Sequence, residues 1–502
     1  MLDRLRLAIV AIGLLSTRLA PAVAADWQAD DWHLVPATNS AEKRPAPIRN
    51  IARTAAGTLL GTRSAGSSIE LWSSVNNGVD WSHVSNVAES SSVVYGDPTL
   101  TVLDNGDVLA AYREEDPALG WSVRVSRSVD NGQSWTFGGT IHDWTGSASE
   151  FVGAPQFNVL SDGTLQSYYD SEFAAPGGNQ YIAVKDGAWN ADANVWEWSN
   201  ERVVNTAAIG GAGVRDGLAT IVNLGPDADG VGDRLMVVTE AVAVTGGRGY
   251  NLVRAFEVEN GGATQADWNN LLDSRIIYQS PLTDPAGHRY NAYAPYALRV
   301  GNGPVIVAFS TDEVLHEQGL PADLSSAPPD ARHSEIKLIQ TTNNFESWSA
   351  PITLWGVDHP EFSGSATAGD IFNYQIGLFE LSPNDLLATL DLFGGKQIVL
   401  RPSLGGDTAD FNESGAVDGG DFLIWQRGYG LAGQTSTATG DATGEGLVDG
   451  ADLTKWAMQF GATAAAAQTA AVPELPSGTL AVLAAITAAA VPTGRPCSAS
   501  RP

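Results

Sequence analysis

One pattern of apolar and polar positions recurs six times between residues 48 and 401. Each copy has alternating apolar residues, a turn centred on Gly or Asn, and a second apolar strand. The copies span residues 48–63, 98–113, 155–172, 218–240, 295–312 and 374–391. Alternation with a period of two across an Asn-Gly or Asp-Gly turn is typical of a β-hairpin. The pattern therefore predicts an all-β fold built from six similar sheets.

A second motif follows some of these hairpins and has the form Ser-x-Asp/Asn-x-Gly-x-x-Trp. It occurs at residues 74–81 and 128–135, with a worn copy at 342–348. This motif is the Asp-box, and over residues 27 to 403 the chain resembles the sialidase superfamily. The resemblance implies a six-bladed β-propeller of four-stranded sheets at 25–403, with the box as a structural turn away from the site. A pair of β-sandwiches is the alternative, and the apolar run Trp27–Val35 is predicted to complete the last blade.

In a propeller, the residues just before each hairpin converge on one pocket near the axis. At these positions the chain places acids, arginines and tyrosines, a mixture suited to binding a sugar. Asp97-Pro98-Thr99 resembles the Asp-Pro-Thr of sialidases, whose Asp lies in the substrate pocket. Tyr374 falls where sialidases keep their nucleophilic Tyr. The predicted substrate-binding residues are Arg49, Asp97, Arg215, Asp216 and Tyr293.

The middle blades are similar to the exo-arabinanases of the same fold. Arg215 and the strand that ends at Glu240 resemble a segment of that family that carries a catalytic Glu. The other catalytic Glu of the family stands directly before a Pro, where this chain has Ala154 and a glutamate four residues earlier, Glu150. We therefore predict Glu150 and Glu240 as a catalytic carboxylate pair, assisted by Tyr374.

Together, these resemblances and the predicted carboxylate pair imply an exo-acting glycoside hydrolase. It would remove terminal sugars from a polysaccharide or glycoconjugate and need no cofactor for catalysis. Two alternatives stay open. One is a glycan-binding propeller that has lost an acid and does not catalyse hydrolysis. The other is a true sialidase, which would need arginines to hold the carboxylate of its substrate.

Two acidic segments near the C-terminus repeat with an offset of 441 − 410 = 31 residues, at 410–421 and 441–452. Both place oxygen ligands at the loop positions of an EF-hand, with Gly at the sharp turn, and both lead into a short helix. They resemble a dockerin module at 407–461, which implies two Ca²⁺ ions and a cohesin-like partner. The predicted ligands are Asp410, Asn412, Ser414, Ala416, Asp418, Asp421, Asp441, Thr443, Glu445, Leu447, Asp449 and Asp452.

Composition narrows the range of partners. The chain has 57 acidic and 28 basic residues, a net charge of −29, and a single cysteine, Cys497. So acidic a protein is not expected to bind nucleic acid, since phosphate binding needs clustered Lys and Arg. With one cysteine, an intrachain disulfide is excluded.

The sequence patterns at both ends of the chain are typical of sorting signals. Arg4 and Arg6 precede an apolar run, and Ala22-Val23-Ala24 fits the rule for signal-peptide cleavage, so residues 1–24 are predicted to be removed. Residues 462–502 form an Ala-rich linker and a tail that resembles PEP-CTERM sorting signals. The chain is therefore expected to be secreted or held at the cell surface, with membrane contact only through this tail.

Overall fold

The structure is a computed structural model. It describes residues 32–34, 49–78, 80–173, 179–204, 215–227, 230, 232–245, 248–301, 303–317, 319, 322, 334–341, 345–356, 359, 376–382, 385–392, 396–402, 409–412, 417–432, 437–442 and 447–460. The chain divides into two compact units, Met1–Leu404 and Gly405–Pro502. The predicted signal peptide at 1–24, the tail at 462–502 and Tyr374 lie outside the described residues.

The first three blades of unit 1 are each four consecutive antiparallel strands. Blade 1 contains β2 (Ile51–Arg53), β3 (Leu59–Ser64), β4 (Ser68–Ser74) and β5 (Ser82–Glu89). Blade 2 contains β6 (Val94–Val102), β7 (Val108–Asp116), β8 (Gly120–Ser128) and β9 (Thr136–His142). Blade 3 contains β10 (Val152–Val159), β11 (Leu165–Ser171), β12 (Tyr181–Asn190) and β13 (Val195–Val204).

Blades 4 and 5 repeat this arrangement, and blade 6 differs by taking one strand from the N-terminus. Blade 4 contains β14 (Asp216–Pro226), β15 (Asp233–Thr245), β16 (Arg248–Val258) and β17 (Asp273–Tyr278). Blade 5 contains β18 (Ala292–Arg299), β19 (Val305–Thr311), β20 (Glu335–Thr341) and β21 (Ile352–Trp355). Blade 6 contains β22 (Ile376–Ser382), β23 (Asp385–Leu392), β24 (Lys396–Pro402) and β1 (Trp32–Leu34).

The N-terminal strand completes blade 6. Strand β1 pairs antiparallel with β24, and Trp32 lies opposite Pro402. The Trp32 ring is fully buried in a cluster with side chains of blades 5 and 6, and its carbonyl lies 2.9 Å from His359 Nε2. The N-terminal apolar run is therefore confirmed as the strand that closes the last blade.

The six blades form a closed ring. Six apolar clusters join blade 1 to 2, 2 to 3, 3 to 4, 4 to 5, 5 to 6 and 6 to 1. The first strands of the blades also touch in the same cyclic order, from β2 through β22 and back to β2. A ring of radial antiparallel sheets whose first strands meet at the centre is a β-propeller. Burial of both faces of each sheet against its neighbours is the main source of its stability.

The two complete Asp-boxes are interblade contacts as well as turns. In the second box, Ser128 Oγ accepts the Gly132 amide at 2.8 Å, and Asp130 Oδ1 accepts the Ser134 amide at 2.9 Å. Gly132 has φ +85°, and a Cβ there would stand 2.1 Å from Leu71 Cδ2 in blade 1. The box therefore needs Gly both for its backbone conformation and for its close approach to the neighbouring blade.

Unit 2 contains two helices of equal length, α3 (Gly419–Gly428) and α4 (Gly450–Gln459), after the short unit-1 helices α1 (Gln265–Asn269) and α2 (Val314–Glu317). Each long helix begins with an Asp that caps its first turn, and an Asp three residues further completes a capping box. The helix predicted after each acidic segment is therefore present. Among the residues that the structure describes, no helix is long and apolar enough to cross a membrane.

Candidate active site

Four blades share a bulge in their first strand, at the end where the sequence predicts the pocket. The bulges lie between Gly96 and Thr99, Gly153 and Gln156, Gly217 and Thr220, and Tyr293 and Tyr296. In each one, a residue other than Gly takes a left-handed conformation with φ between +46° and +49°; these residues are Asp97, Ala154, Leu218 and Ala294. A strained backbone that recurs at equivalent points of a fold is typical of a functional region.

The bulges determine which residue of each second strand lies opposite the residue before the bulge. The residue before each bulge pairs with a residue of the second strand, which is Arg113 in blade 2, Asp170 in blade 3, Glu240 in blade 4 and Ser310 in blade 5. Three consecutive blades therefore carry an ionisable side chain at one equivalent position. Of these residues, the sequence predicts only Glu240 as a site residue, and the structure adds Asp170 and Arg113.

Asp170 is a buried carboxyl group that spans the junction between blades 3 and 4. Both of its oxygens lie 3.0 Å from the backbone amide of Leu218, the bulge residue of the next blade. Burial raises the pKa of Asp170 to about 8; the Leu218 amide and Arg215 oppose this, and the charges of Glu240 and Asp97 add to it. Asp170 is therefore protonated at neutral pH and lies within electrostatic range of two other carboxylates.

Glu240 repeats this arrangement one blade further on. Its Oε2 accepts the backbone amide of Ala294, the bulge residue of blade 5, at 3.0 Å. Its Oε1 lies 3.4 Å from Arg215 Nη2 in an ion pair. The Glu240 side chain is 7% exposed. Arg215 therefore supplies a positive charge beside one carboxylate of the group.

A cleft of about 150 Å³ opens between blades 1 and 2. Arg49, Arg63, Asp97 and Arg113 line it, so two of the predicted substrate-binding residues come together here. Asp97 Oδ2 accepts a hydrogen bond from Arg113 Nε at 2.8 Å. The cleft thus offers both hydrogen-bond donors and acceptors to a polar ligand.

Arg49 also contacts blade 5, which is not a direct neighbour of blade 1 in the ring. Its Nη2 donates to the Pro295 carbonyl in blade 5 at 3.3 Å, and its guanidinium lies 6.0 Å from the centre of the Tyr296 ring. The Tyr296 hydroxyl donates to Asn50 Oδ1 at 3.1 Å. These contacts link the first strands of blades 1 and 5 across the axis.

Glu150 lies in the turn that precedes β10. It precedes the start of β10 by two residues, and its amide lies 3.3 Å from the Ser147 carbonyl in a turn. A bulge is present at the start of β10, and Ala154 occupies it. Asp170 interacts electrostatically with Glu240, and the catalytic role of Glu150 stays a prediction.

The remaining predicted residues of the pocket are buried. Burial raises the pKa of Asp216 to about 7, although the charges of Arg254 and Arg215 oppose the shift. Tyr293 is buried, and its hydroxyl is hydrogen bonded to Ser334. Tyr293 also packs in one apolar cluster with the bulge residues Ala154, Leu218 and Ala294.

The acidic loops of unit 2 are described only in part. Ser414, Ala416, Thr443 and Glu445 lie outside the described residues, and Leu447 forms a bridge to Ala432. Asp421 is fully buried, and its two oxygens accept the amides of Asn412 and Asp418 at 3.2 and 2.8 Å. Within the described ranges, no three acidic, His or Cys side chains are grouped to hold a metal ion.

No protein family and no curated protein matches the sequence. Among solved structures, the chain is similar to an α-L-arabinanase of Penicillium chrysogenum bound to arabinobiose, at 15% identity and a TM-score of 0.47, over 74% of this chain and 96% of that one. It is also similar to a Hadza microbial sialidase, at 13% identity and a TM-score of 0.45, over 71% and 65% of the two chains. The NanB sialidase of Streptococcus pneumoniae shares 8% identity and a TM-score of 0.45, over 74% and 71%.

Unit 1 is thus a six-bladed β-propeller, a class defined here by its strand pairing and by the ring of interblade clusters. Its candidate site consists of Asp97, Arg113, Asp170, Arg215 and Glu240.

Proposed function

We propose that the propeller is a glycoside hydrolase that removes terminal sugars, with Asp170 and Glu240 as its carboxylate pair. One observation carries the proposal. Two carboxyl groups at equivalent positions of neighbouring blades have different surroundings, since burial holds a proton on Asp170 while Arg215 pairs with Glu240. Carboxyl groups whose environments separate their proton affinities are suited to act as acid and base.

In this proposal Asp170 is the general acid. It donates its proton to the glycosidic oxygen as the bond from the anomeric carbon to that oxygen breaks. Glu240 either attacks the anomeric carbon or takes a proton from the attacking water. Asp97, Arg49 and Arg113 hold the hydroxyl groups of the terminal sugar in the cleft. Tyr374 keeps its predicted assisting role.

Replacement of each carboxyl group tests this assignment. Asp170→Asn and Glu240→Gln should each lower turnover on the active member of a chromogenic glycoside panel by at least about 100-fold. Glu150→Gln serves as the matched control and should retain turnover. Full activity of both Asp170→Asn and Glu240→Gln would remove the pair. Loss in Glu150→Gln and Glu240→Gln, with full activity of Asp170→Asn, would restore the pair predicted from the sequence.

The second candidate function is a glycan-binding propeller without catalysis. Two observations favour it: Ala154 carries no carboxylate at the position equivalent to Asp97, and both buried carboxylates already accept backbone amides. Calorimetric titration with oligosaccharides separates the candidates, because a lectin releases heat on binding but produces no reducing ends. A sialoside in the glycoside panel tests the sialidase alternative.

We also propose that unit 2 is a dockerin-like module that binds two Ca²⁺ ions and a cohesin-like protein, on a chain exported by its signal peptide. Support comes from the chemistry of the donors: Asp410, Asp421, Asp441 and Asp452 are buried carboxylates next to the helix starts. Carboxylate oxygens are the ligands that Ca²⁺ prefers. When bound, the ion would cross-link the loop and couple metal binding to folding.

Removal of calcium tests this part independently of the propeller. Addition of EDTA should lower the helical circular dichroism signal, and addition of Ca²⁺, but not of Mg²⁺ at equal concentration, should restore it. The double variant Asp421→Asn, Asp452→Asn should show a weak response to either treatment. A helical signal that EDTA leaves unchanged would contradict calcium binding.

A further inference from the structure

The side-chain amide of Gln180 lies between Arg215 and Asp170. Its Oε1 accepts a hydrogen bond from Arg215 Nη1 at 2.8 Å. Its Nε2 donates to Asp170 Oδ2 at 3.1 Å and to the Asp216 carbonyl at 3.2 Å. One neutral group therefore connects the arginine to the buried acid and to the backbone at the start of β14.

The chain leaves room for this connection. At Gly217 a Cβ would stand 2.5 Å from Gln180 Nε2, 3.2 Å from Asp170 Oδ2 and 3.4 Å from Arg215 Nη1. A side chain at this point would push the three polar groups apart. Gly217 thus permits their close approach at the level of the bulge.

Because Gln180 is neutral and lies between Arg215 and Asp170, it determines which of the two carboxyl groups, Asp170 or Glu240, Arg215 contacts directly. A guanidinium in direct contact with a carboxylate lowers its pKa by about 1 to 3 units, and such contacts are often bidentate. Because Gln180 occupies Nη1, Arg215 meets Asp170 only through the amide, while its Nη2 faces Glu240. The charged groups that face Asp170 are Arg215 beside β14, Glu240 on β15 and Asp97 on β6.

We propose that Gln180 is a positioning residue that keeps Arg215 on Glu240 and prevents a direct ion pair between Arg215 and Asp170. The inference rests on the proposed function for its kinetic consequences. The effect on the proton affinity of Asp170 is independent of whether the propeller catalyses hydrolysis.

Two variants of Gln180 should shift the activity profile in opposite directions. In Gln180→Met, Arg215 is released to pair with Asp170, and the basic limb of the pH profile of kcat should move down by about one unit. In Gln180→Glu, a second negative charge lies beside Asp170, and the limb should move up. Turnover should change more than KM, because substrate contacts in the cleft are unaffected.

Gln166→Met is the matched control. Gln166 is a buried glutamine of the same blade, and its amide donates to the Gly261 carbonyl at 2.9 Å. Its loss should lower stability without moving the pH profile. Equal shifts in the variants of Gln166 and Gln180, or no shift in either variant of Gln180, would overturn the proposal.

A second measurement separates this inference from the proposed function. The difference in unfolding free energy between wild type and Asp170→Asn reports the protonation of Asp170 as pH changes. In the Gln180→Met background, the difference in unfolding free energy caused by Asp170→Asn should stop changing with pH at a lower pH than it does in the wild-type background. That result supports the positioning role even if no glycoside is cleaved, and an unchanged pH range in the Gln180→Met background would overturn it.

Discussion

Asp170 accepts the backbone amide of Leu218 across the junction between blades 3 and 4, with both carboxylate oxygens 3.0 Å from the nitrogen. Glu240 does the same for Ala294 at the next junction. Each carboxylate thus holds the strained bulge of the following blade. The groups proposed for catalysis also stabilise the backbone that shapes the site, so their replacement affects both properties.

Asp170 should make the propeller less stable as pH rises. Its pKa is about 8 in the folded protein, against about 4 in an unfolded chain, so the folded state binds more protons between these values. The free energy of unfolding should therefore fall by about 1 kcal/mol per pH unit over this range on account of this group. Urea unfolding from pH 5 to 8 should show a smaller fall in Asp170→Asn. Asp216→Asn is the comparison variant. The change that it causes in the free energy of unfolding should stop depending on pH near pH 7, because burial raises the pKa of Asp216 to about 7. Parallel curves for wild type and Asp170→Asn would contradict the raised pKa.

Replacement of Gly132 should weaken the contact between blades 1 and 2. Gly132→Ala adds a Cβ 2.1 Å from Leu71 Cδ2 at a φ of +85°. Gly106→Ala is a matched control, since Gly106 has φ +87° with nothing within 4 Å of its Cβ position. The control should cost about 1 to 2 kcal/mol for the backbone, and Gly132→Ala about 1 to 3 kcal/mol more. Equal costs by urea unfolding would mean that the Asp-box is only a turn.

Truncation of Trp32 should open the ring at blade 6. Trp32→Ala removes a fully buried ring and should cost about 3 to 5 kcal/mol, as large cavities in protein cores do. Trp32→Phe should cost less, because the Trp32 Nε1 is buried and has no hydrogen-bond partner among the residues that the structure describes. Thermal unfolding of both variants measures the difference. A stable Trp32→Ala variant would show that β1 is not needed to close the propeller.

Each tryptophan of unit 2, Trp425 and Trp456, should affect the proposed calcium binding at the acidic loop that precedes the other tryptophan's helix. Trp425 Nε1 donates to the Asp449 carbonyl at 2.7 Å, and Trp456 Nε1 donates to the Asp418 carbonyl at 2.9 Å. Each helix therefore holds the loop that precedes the other helix. Trp456→Phe keeps the ring but loses one hydrogen bond, worth about 1 kcal/mol, and should weaken calcium binding at loop 410–421.

Trp425→Phe should instead weaken calcium binding at loop 441–452. Calcium titration of both variants by calorimetry, each combined with Asp421→Asn or Asp452→Asn, assigns the weakened site. Loss at the same loop in both variants would contradict the reciprocal arrangement.

The hairpins, the Asp-boxes, the strand that closes blade 6 and the helices of unit 2 could be predicted from the sequence. Each depends on neighbours along the chain, such as the period of the apolar residues, the turn residues and the cap of a helix. The structure contains each of these elements. Local preference and final structure agree here, as expected of a chain whose elements reinforce one another.

The membership of the candidate site depended on the tertiary structure. Glu150 stands four residues before Ala154 in the chain, yet the bulge at Ala154 leaves it in a turn. Asp170 joins Glu240 because each of them pairs with the residue before the bulge in the first strand of its blade. Register counted from each hairpin turn could have identified Asp170. Its raised pKa could not, because it arises from burial between two blades that are distant in sequence.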